Sequence, residues 1–135
     1  MTKPLAVAPD IERITVDYLT ATLAARSQDV TVGVNVPTTW TTATKAHVQV
    51  ALDGTPVVAY PVMARPTVRV TAWHASTTTA KALAALCEGL LLSHPGTPAV
   101  AGFLAGTGVF PAKDPATGAQ LASITVRAKA LYAAI

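Results

Sequence analysis

The chain has 135 residues, a formal net charge of +3 and a single cysteine. That length suits one domain able to bury its own core, and a lone cysteine excludes a scaffold of internal disulfides. Only 13% of residues are charged, against about 25% in ordinary soluble domains, and the basic excess is spread out with no Lys/Arg run, which argues against sequence-specific DNA recognition.

The N-terminal "MTKPLAVAPD" has an apolar run too short and too broken by proline for a secretory leader. No apolar stretch approaches the roughly 20 residues of a membrane span. A soluble protein of the cytoplasm, or of a particle assembled there, is expected. Asp10 is placed to cap a helix. Ile11, Ile14, Tyr18, Ala21 and Ala25 recur at helical spacing, with Leu19 and Leu23 widening the stripe, predicting a helix from about Asp10 to Arg26.

"VTVGVNV" alternates strictly, as a half-buried strand does, and Pro37 ends it. "TTWTTAT" has no apolar period and reads as a loop carrying Trp40. "HVQVAL" alternates again and stops at the Asp53-Gly54 turn. In "TPVVAYPVM", Pro56 and Pro61 would restrict a hairpin to a sheet edge. An extended arm from Asp53 to Arg65 is the preferred reading.

"PTVRVTAW" is a strand with Val68, Val70 and Ala72 on one face and Arg69, Thr71 and Trp73 on the other. Ser76 caps a second helix, with Ala80, Leu83, Ala84, Cys87, Leu90 and Leu91 as its stripe, and "SHPG" ends it. "AVAGFLAGTGVF" is a strand bent at glycines, and "PAKDPATGAQ" is a polar connection. "LASITVRAKAL" is a last strand with Thr125, Arg127 and Lys129 opposite its apolar face. The order α-β-β-β-α-β-β predicts a single α+β domain: an antiparallel or mixed sheet of about four to five strands, with two helices packed on one face.

No coherent active site emerges. Cys87 lies on an apolar stripe and reads as core. His74 near Ser76 and Thr77 admits a base–nucleophile pairing, but no orienting carboxylate is close in sequence, and capping already accounts for the hydroxyls. His47, His74 and His94 lack metal-ligand spacing, and the phosphate-loop patterns are absent, so no metal and no cofactor are expected. Scarce charge points to surface covered by other subunits; a surface covered by the chain's twenty threonines is the alternative.

Two stretches carry a resemblance, "RPTVRVTAWHASTTTAKALAALCEGLL" and "VFPAKDPATGAQLASITVRAKAL", together with the helix "PDIERITVDYL". Their order over nearly the whole chain is similar to that of tail terminator proteins of long-tailed bacteriophages, especially those infecting actinobacteria. The motifs are patterning and turn chemistry. Between the first two strands the family leads one to expect an Arg-Pro-rich stretch, and "NVPTTWTTATKAHV" departs from it. The resemblance implies a structural, non-enzymatic virion protein assembled in the host cytoplasm. It would be a homo-oligomer, a hexameric ring on the major tail tube protein. The ring would end tube polymerisation and meet the head-completion complex at the head–tail junction. DNA would pass through its channel without sequence-specific binding, and no membrane would be involved. A neighbouring neck or completion protein, or a small enzyme or ligand-binding domain using His74, are the alternatives.

Candidate contact residues follow. Trp40 is an interface anchor on its loop, or folds back on the domain edge. Tyr60 and Arg65 lie in the arm, and Lys113 and Asp114 in the Pro111–Gly118 turn. Arg69, Trp73, Arg127 and Lys129 lie on the uncovered sheet face, which is either solvated or turned to a neighbour or a lumen.

Overall fold

In the computed structural model, which describes residues 3–134, a short strand β1 (Ala6–Val7) precedes helix α1 (Ile11–Ala25). Asp10 caps α1, its carboxylate accepting the Arg13 amide, and Glu12 favours the positive end of the helix dipole. Ile11, Thr15, Leu19 and Leu23, four apart, form the buried stripe. The strands β2 (Thr31–Gly33), β3 (His47–Leu52), β4 (Val57–Ala59), β5 (Met63–Ala64) and β6 (Thr67–His74) follow. Ser76 caps α2 (Thr77–Leu92), accepting the Thr79 amide at 3.4 Å. The chain closes with β7 (Val100–Ala105), β8 (Phe110–Lys113), β9 (Gln120–Leu131) and β10 (Ala133–Ala134), the last pairing with β1.

The main sheet has eight segments, more than the four to five strands expected, and it is mixed because β2 runs parallel to β3. The registers explain the surplus. Met63 and Ala64 pair with Leu131 and Ala130 in the same register that pairs Thr67 with Arg127. β5 and β6 are therefore one strand, interrupted at residues 65–66. Their partners β3 and β4 are one strand interrupted at 53–56, and Asp53, Arg65 and Thr67 donate backbone hydrogen bonds across the break. β7 and β8 share the far edge of β9, shifted by bulges. Five strand paths remain: β2, β3–β4, β5–β6, β9 and β7–β8.

Residues 53–65 are thus not a free arm. They form the tip of a long hairpin, with the turn at Tyr60–Val62 closed by the Val62 amide on the Ala59 carbonyl. The prolines do what an edge permits, since among the described residues β4 has no strand on its outer side. The first expected strand, Val30–Val36, shortens to Thr31–Gly33, because the chain then leaves the sheet to cross its open face.

Even-numbered residues of β3, β6 and β9 point to the helices. Val48, Val50, Val68, Val70, Ala72, Ile124 and Val126 are fully or almost fully buried there against Leu19, Leu23, Leu83, Cys87 and Leu91. Both helices cover this one face. Odd-numbered residues point to the other face, which carries no helix among the described residues.

Candidate interaction surfaces

The open face divides into two halves. At the His74 end of β6, the 34–46 loop folds over the sheet. Trp40 is only 4% exposed, its ring edge-on to Trp73 at 5.7 Å, and its indole N–H donates to the Lys45 carbonyl at 3.0 Å. Trp40 is therefore not an exposed anchor: a flat apolar indole with one donor finds both burial and a partner by lying on Trp73. Trp73 is half-buried beneath it, its N–H donating to Gln49 Oε1 at 3.3 Å.

His47 lies under the same loop, 2% exposed. Its Nε2–H donates to the Asn35 carbonyl at 2.9 Å, which leaves Nδ1 to accept the Thr31 hydroxyl at 2.6 Å. Burial pushes its pKa below the ordinary imidazole value, with the Asn35 bond opposing. His94, packed between Tyr18 and Phe103, is pushed the same way by burial. With the folded pKa below the unfolded one, the unfolded chain holds more protons in the window between them. Stability is then lost as pH falls through about 6.5. The urea midpoint at pH 5.5 is expected below that at pH 7.5, and His47→Gln should reduce the difference. Equal midpoints for the wild type would overturn the assignment of a neutral buried imidazole.

The other half of the open face is more open: Arg69 and Arg127 are exposed, while Arg65, Thr67, Thr125 and Lys129 are half-buried. Arg69 pairs across the sheet with Thr125, and Thr67 with Arg127. The same register sets Arg65 opposite Lys129. Residues 65, 69, 127 and 129, scattered in sequence, thus lie on one face within five residues of strand. Asp53 meets Arg69 at 3.3 Å, and Arg127 donates to the Ala105 carbonyl at 3.4 Å. Among the described residues Arg65, Arg127 and Lys129 have no carboxylate within ion-pair distance, and Arg65 Nε is buried without a hydrogen-bond partner.

The hairpin tip is a third surface. Val57, Val58 and Val62 are 53–60% exposed, and Leu5 and Val7 lie close by. Tyr60 joins them: its hydroxyl accepts the Ala6 amide at 3.1 Å and donates to the Pro4 carbonyl at 3.0 Å, while its ring stands edge-on to Tyr132. Tyr60 thereby fastens the tip to the N-terminal segment as well as remaining 37% exposed. No charged residue occurs from Gly54 to Ala64.

Neither a family model nor a curated relative matches this chain.

The remaining candidates have local roles. Lys113 ends β8, fully on the surface. Asp114 holds the turn after it, accepting from the Thr117 hydroxyl at 2.6 Å and the Thr117 amide at 3.1 Å. Those bonds, the hydroxyl first, hold its carboxyl below the usual carboxylate range. His74 borders an open cavity of about 430 Å³ with Asp29, Lys45, Thr79 and Leu86. Its Nδ1 accepts the Ser76 amide at 2.9 Å, while Ser76 Oγ caps α2. Both groups are engaged at the helix start, and His74 has no carboxylate partner among its hydrogen bonds. Cys87 is fully buried, and burial raises its thiol pKa to about 12, far from a reactive thiolate. Among the described residues no cluster of His, Cys, Asp and Glu is arranged for a metal ion, and no helix is long and apolar enough to cross a membrane.

Proposed function

We propose that this chain is a structural protein of a long-tailed phage tail, forming a hexameric ring that caps the tail tube, ends its polymerisation and joins the head-completion complex. The observation that carries the reading is the hairpin tip: Val57, Val58 and Val62 are exposed on a stretch without charge, and Tyr60 ties to it the N-terminal segment that bears exposed Leu5 and Val7. Clustered exposed aliphatics of this kind mark a protein contact surface. A contact between the tip and a different part of a neighbouring copy is head-to-tail, an arrangement that gives a ring where the rotation between copies closes. The α+β architecture and the sparse charge support the same reading. A neighbouring neck protein would use a similar surface and is separated by what it binds.

Light scattering and negative-stain imaging, with and without purified tail tubes, test this. Rings at tube ends are expected, and Val58→Asp should abolish them while leaving the far-ultraviolet circular dichroism unchanged. A chain that stays monomeric and leaves tube ends bare overturns the proposal. Rings that attach only to head connectors reassign it to the neck.

A further inference from the structure

We infer that the more open half of this sheet face is a contact surface for the phosphate backbone of duplex nucleic acid, read without sequence preference. This goes beyond assembly and does not depend on it. The four cations Arg65, Arg69, Arg127 and Lys129 share one face, and the single carboxylate among them, Asp53, neutralises only Arg69. The surplus of three positive charges equals the formal net charge of the whole chain, +3. The other charged side chains, six basic and six acidic, sum to zero, so the whole formal excess of the chain equals the surplus on this face.

The arrangement is unfavourable for an isolated sheet. Arg69 and Arg127 are diagonal neighbours, about 7–8 Å apart, and Arg65 faces Lys129 directly; like charges opposite one another lower sheet stability. A polyanion relieves that repulsion. The intervening residues, Thr67 and Thr125, are hydroxyl donors, the side chains that join Arg and Lys in phosphate contacts. The patch spans about 13 Å along the strands, and a duplex presents on the order of one charge per 1.7 Å of axis over such a length. A duplex fits better than a single strand because the patch contains no aromatic side chain on which unpaired bases could stack. Phe110, opposite Ser123 on β8 and a diagonal neighbour of Thr125, borders it as a single exposed ring, too few for stacking successive unpaired bases.

The test is fluorescence anisotropy with a labelled 20-base-pair DNA of arbitrary sequence. Three unneutralised cations predict a slope of about −3 for log K against log salt, or roughly a twentyfold loss of affinity between 20 and 60 mM salt. Arg127→Gln with Lys129→Gln should reduce the slope to about −1 and the affinity at 20 mM at least tenfold, with the thermal melt showing a folded chain. Lys81→Glu, on the exposed side of α2, should leave the slope unchanged. A flat salt response in the wild type overturns the inference. Equal losses in the Lys81 and Arg127/Lys129 variants also overturn it, since net charge alone would then explain binding. Patch-dependent binding to phosphatidylserine vesicles as tight as to DNA would reassign the surface to membranes. If the double variant caps tubes but loses the salt slope, both assignments stand as separate functions. If the wild type caps tubes without binding DNA, only the phosphate surface fails, and if it binds DNA without capping, only the assembly reading fails.

Discussion

Trp40→Ala is expected to lower the unfolding free energy by about 3–5 kcal/mol, measured by urea titration followed by far-ultraviolet circular dichroism. The residue is 4% exposed and does three things at once. It buries one of the chain's two largest side chains, it meets Trp73 edge-on at 5.7 Å, and it donates to the Lys45 carbonyl. Removing it leaves that carbonyl without its donor and opens the apolar side of Trp73 to water. Of the larger apolar side chains from residue 34 to 46 only Trp40 is buried, with Val34 exposed and Val36 half-buried, and the same loop supplies the Asn35 carbonyl to His47. A loss of this size is a large share of the 5–15 kcal/mol that holds an ordinary domain together. Trp40→Phe keeps the ring contact and loses the N–H bond and some area, so about 1–2 kcal/mol is expected. If Trp40→Ala costs less than 1 kcal/mol, the loop is not anchored by its indole.

Trp40 also marks a limit of what residue order conveys. A tryptophan among threonines is equally consistent with an anchor for a partner and with a lid on its own domain, because its local sequence has no period. Its partner, Trp73, is on a strand whose alternation was legible, but nothing in the order of residues says that a loop will cross that face. The helices were the easiest elements to read. Asp10 and Ser76 cap them as their position suggests, and Leu83 and Cys87 are buried as their spacing requires; in α1 the buried line runs through Leu19 and Leu23, which only widened the expected stripe, while Ala21 and Ala25 of that stripe are exposed.

The strand paths were legible in part. Val68, Val70, Ile124 and Val126 alternate cleanly and occupy the core. The tip was harder, because Pro56 and Pro61 obscure a hairpin that survives by lying at the edge. The basic surface was legible as a face, since alternation alone set Arg69, Arg127 and Lys129 on the open side of the sheet, but Arg65 was assigned to an arm and the spacing of the four was not readable. Arg65 and Arg69 are separated from Arg127 and Lys129 by nearly sixty residues, and only the register of β6 on β9 turns a scattered excess into a cluster. A long-range pairing of the two most alternating segments would have been the one signal able to reveal it.

The glycine-rich stretch before β8 yields the second large effect. Sequence order marked it as a place of bends, and the bulge at Gly102, with φ of 146°, is one such bend. Gly106 acts differently. A Cβ there would lie 2.5 Å from the Thr125 carbonyl oxygen and 2.6 Å from its hydroxyl, distances no real methyl group tolerates. Neither neighbour is free to give way. Thr125 is held in β9 opposite Arg69, its amide donates to the Thr107 carbonyl at 3.1 Å, and its hydroxyl accepts the Thr107 amide at 2.7 Å. Relief of the overlap must break one or both of those bonds and peel the β7–β8 path from β9. Gly106→Ala is therefore expected to cost about 2–3 kcal/mol. Gly108 lies two residues on, with open space where its Cβ would be, so Gly108→Ala should change stability by no more than about 0.5 kcal/mol. Urea midpoints of the two variants decide the matter: equal values would mean that the far edge of the sheet yields freely, and that close backbone approach is not what reserves position 106 for glycine.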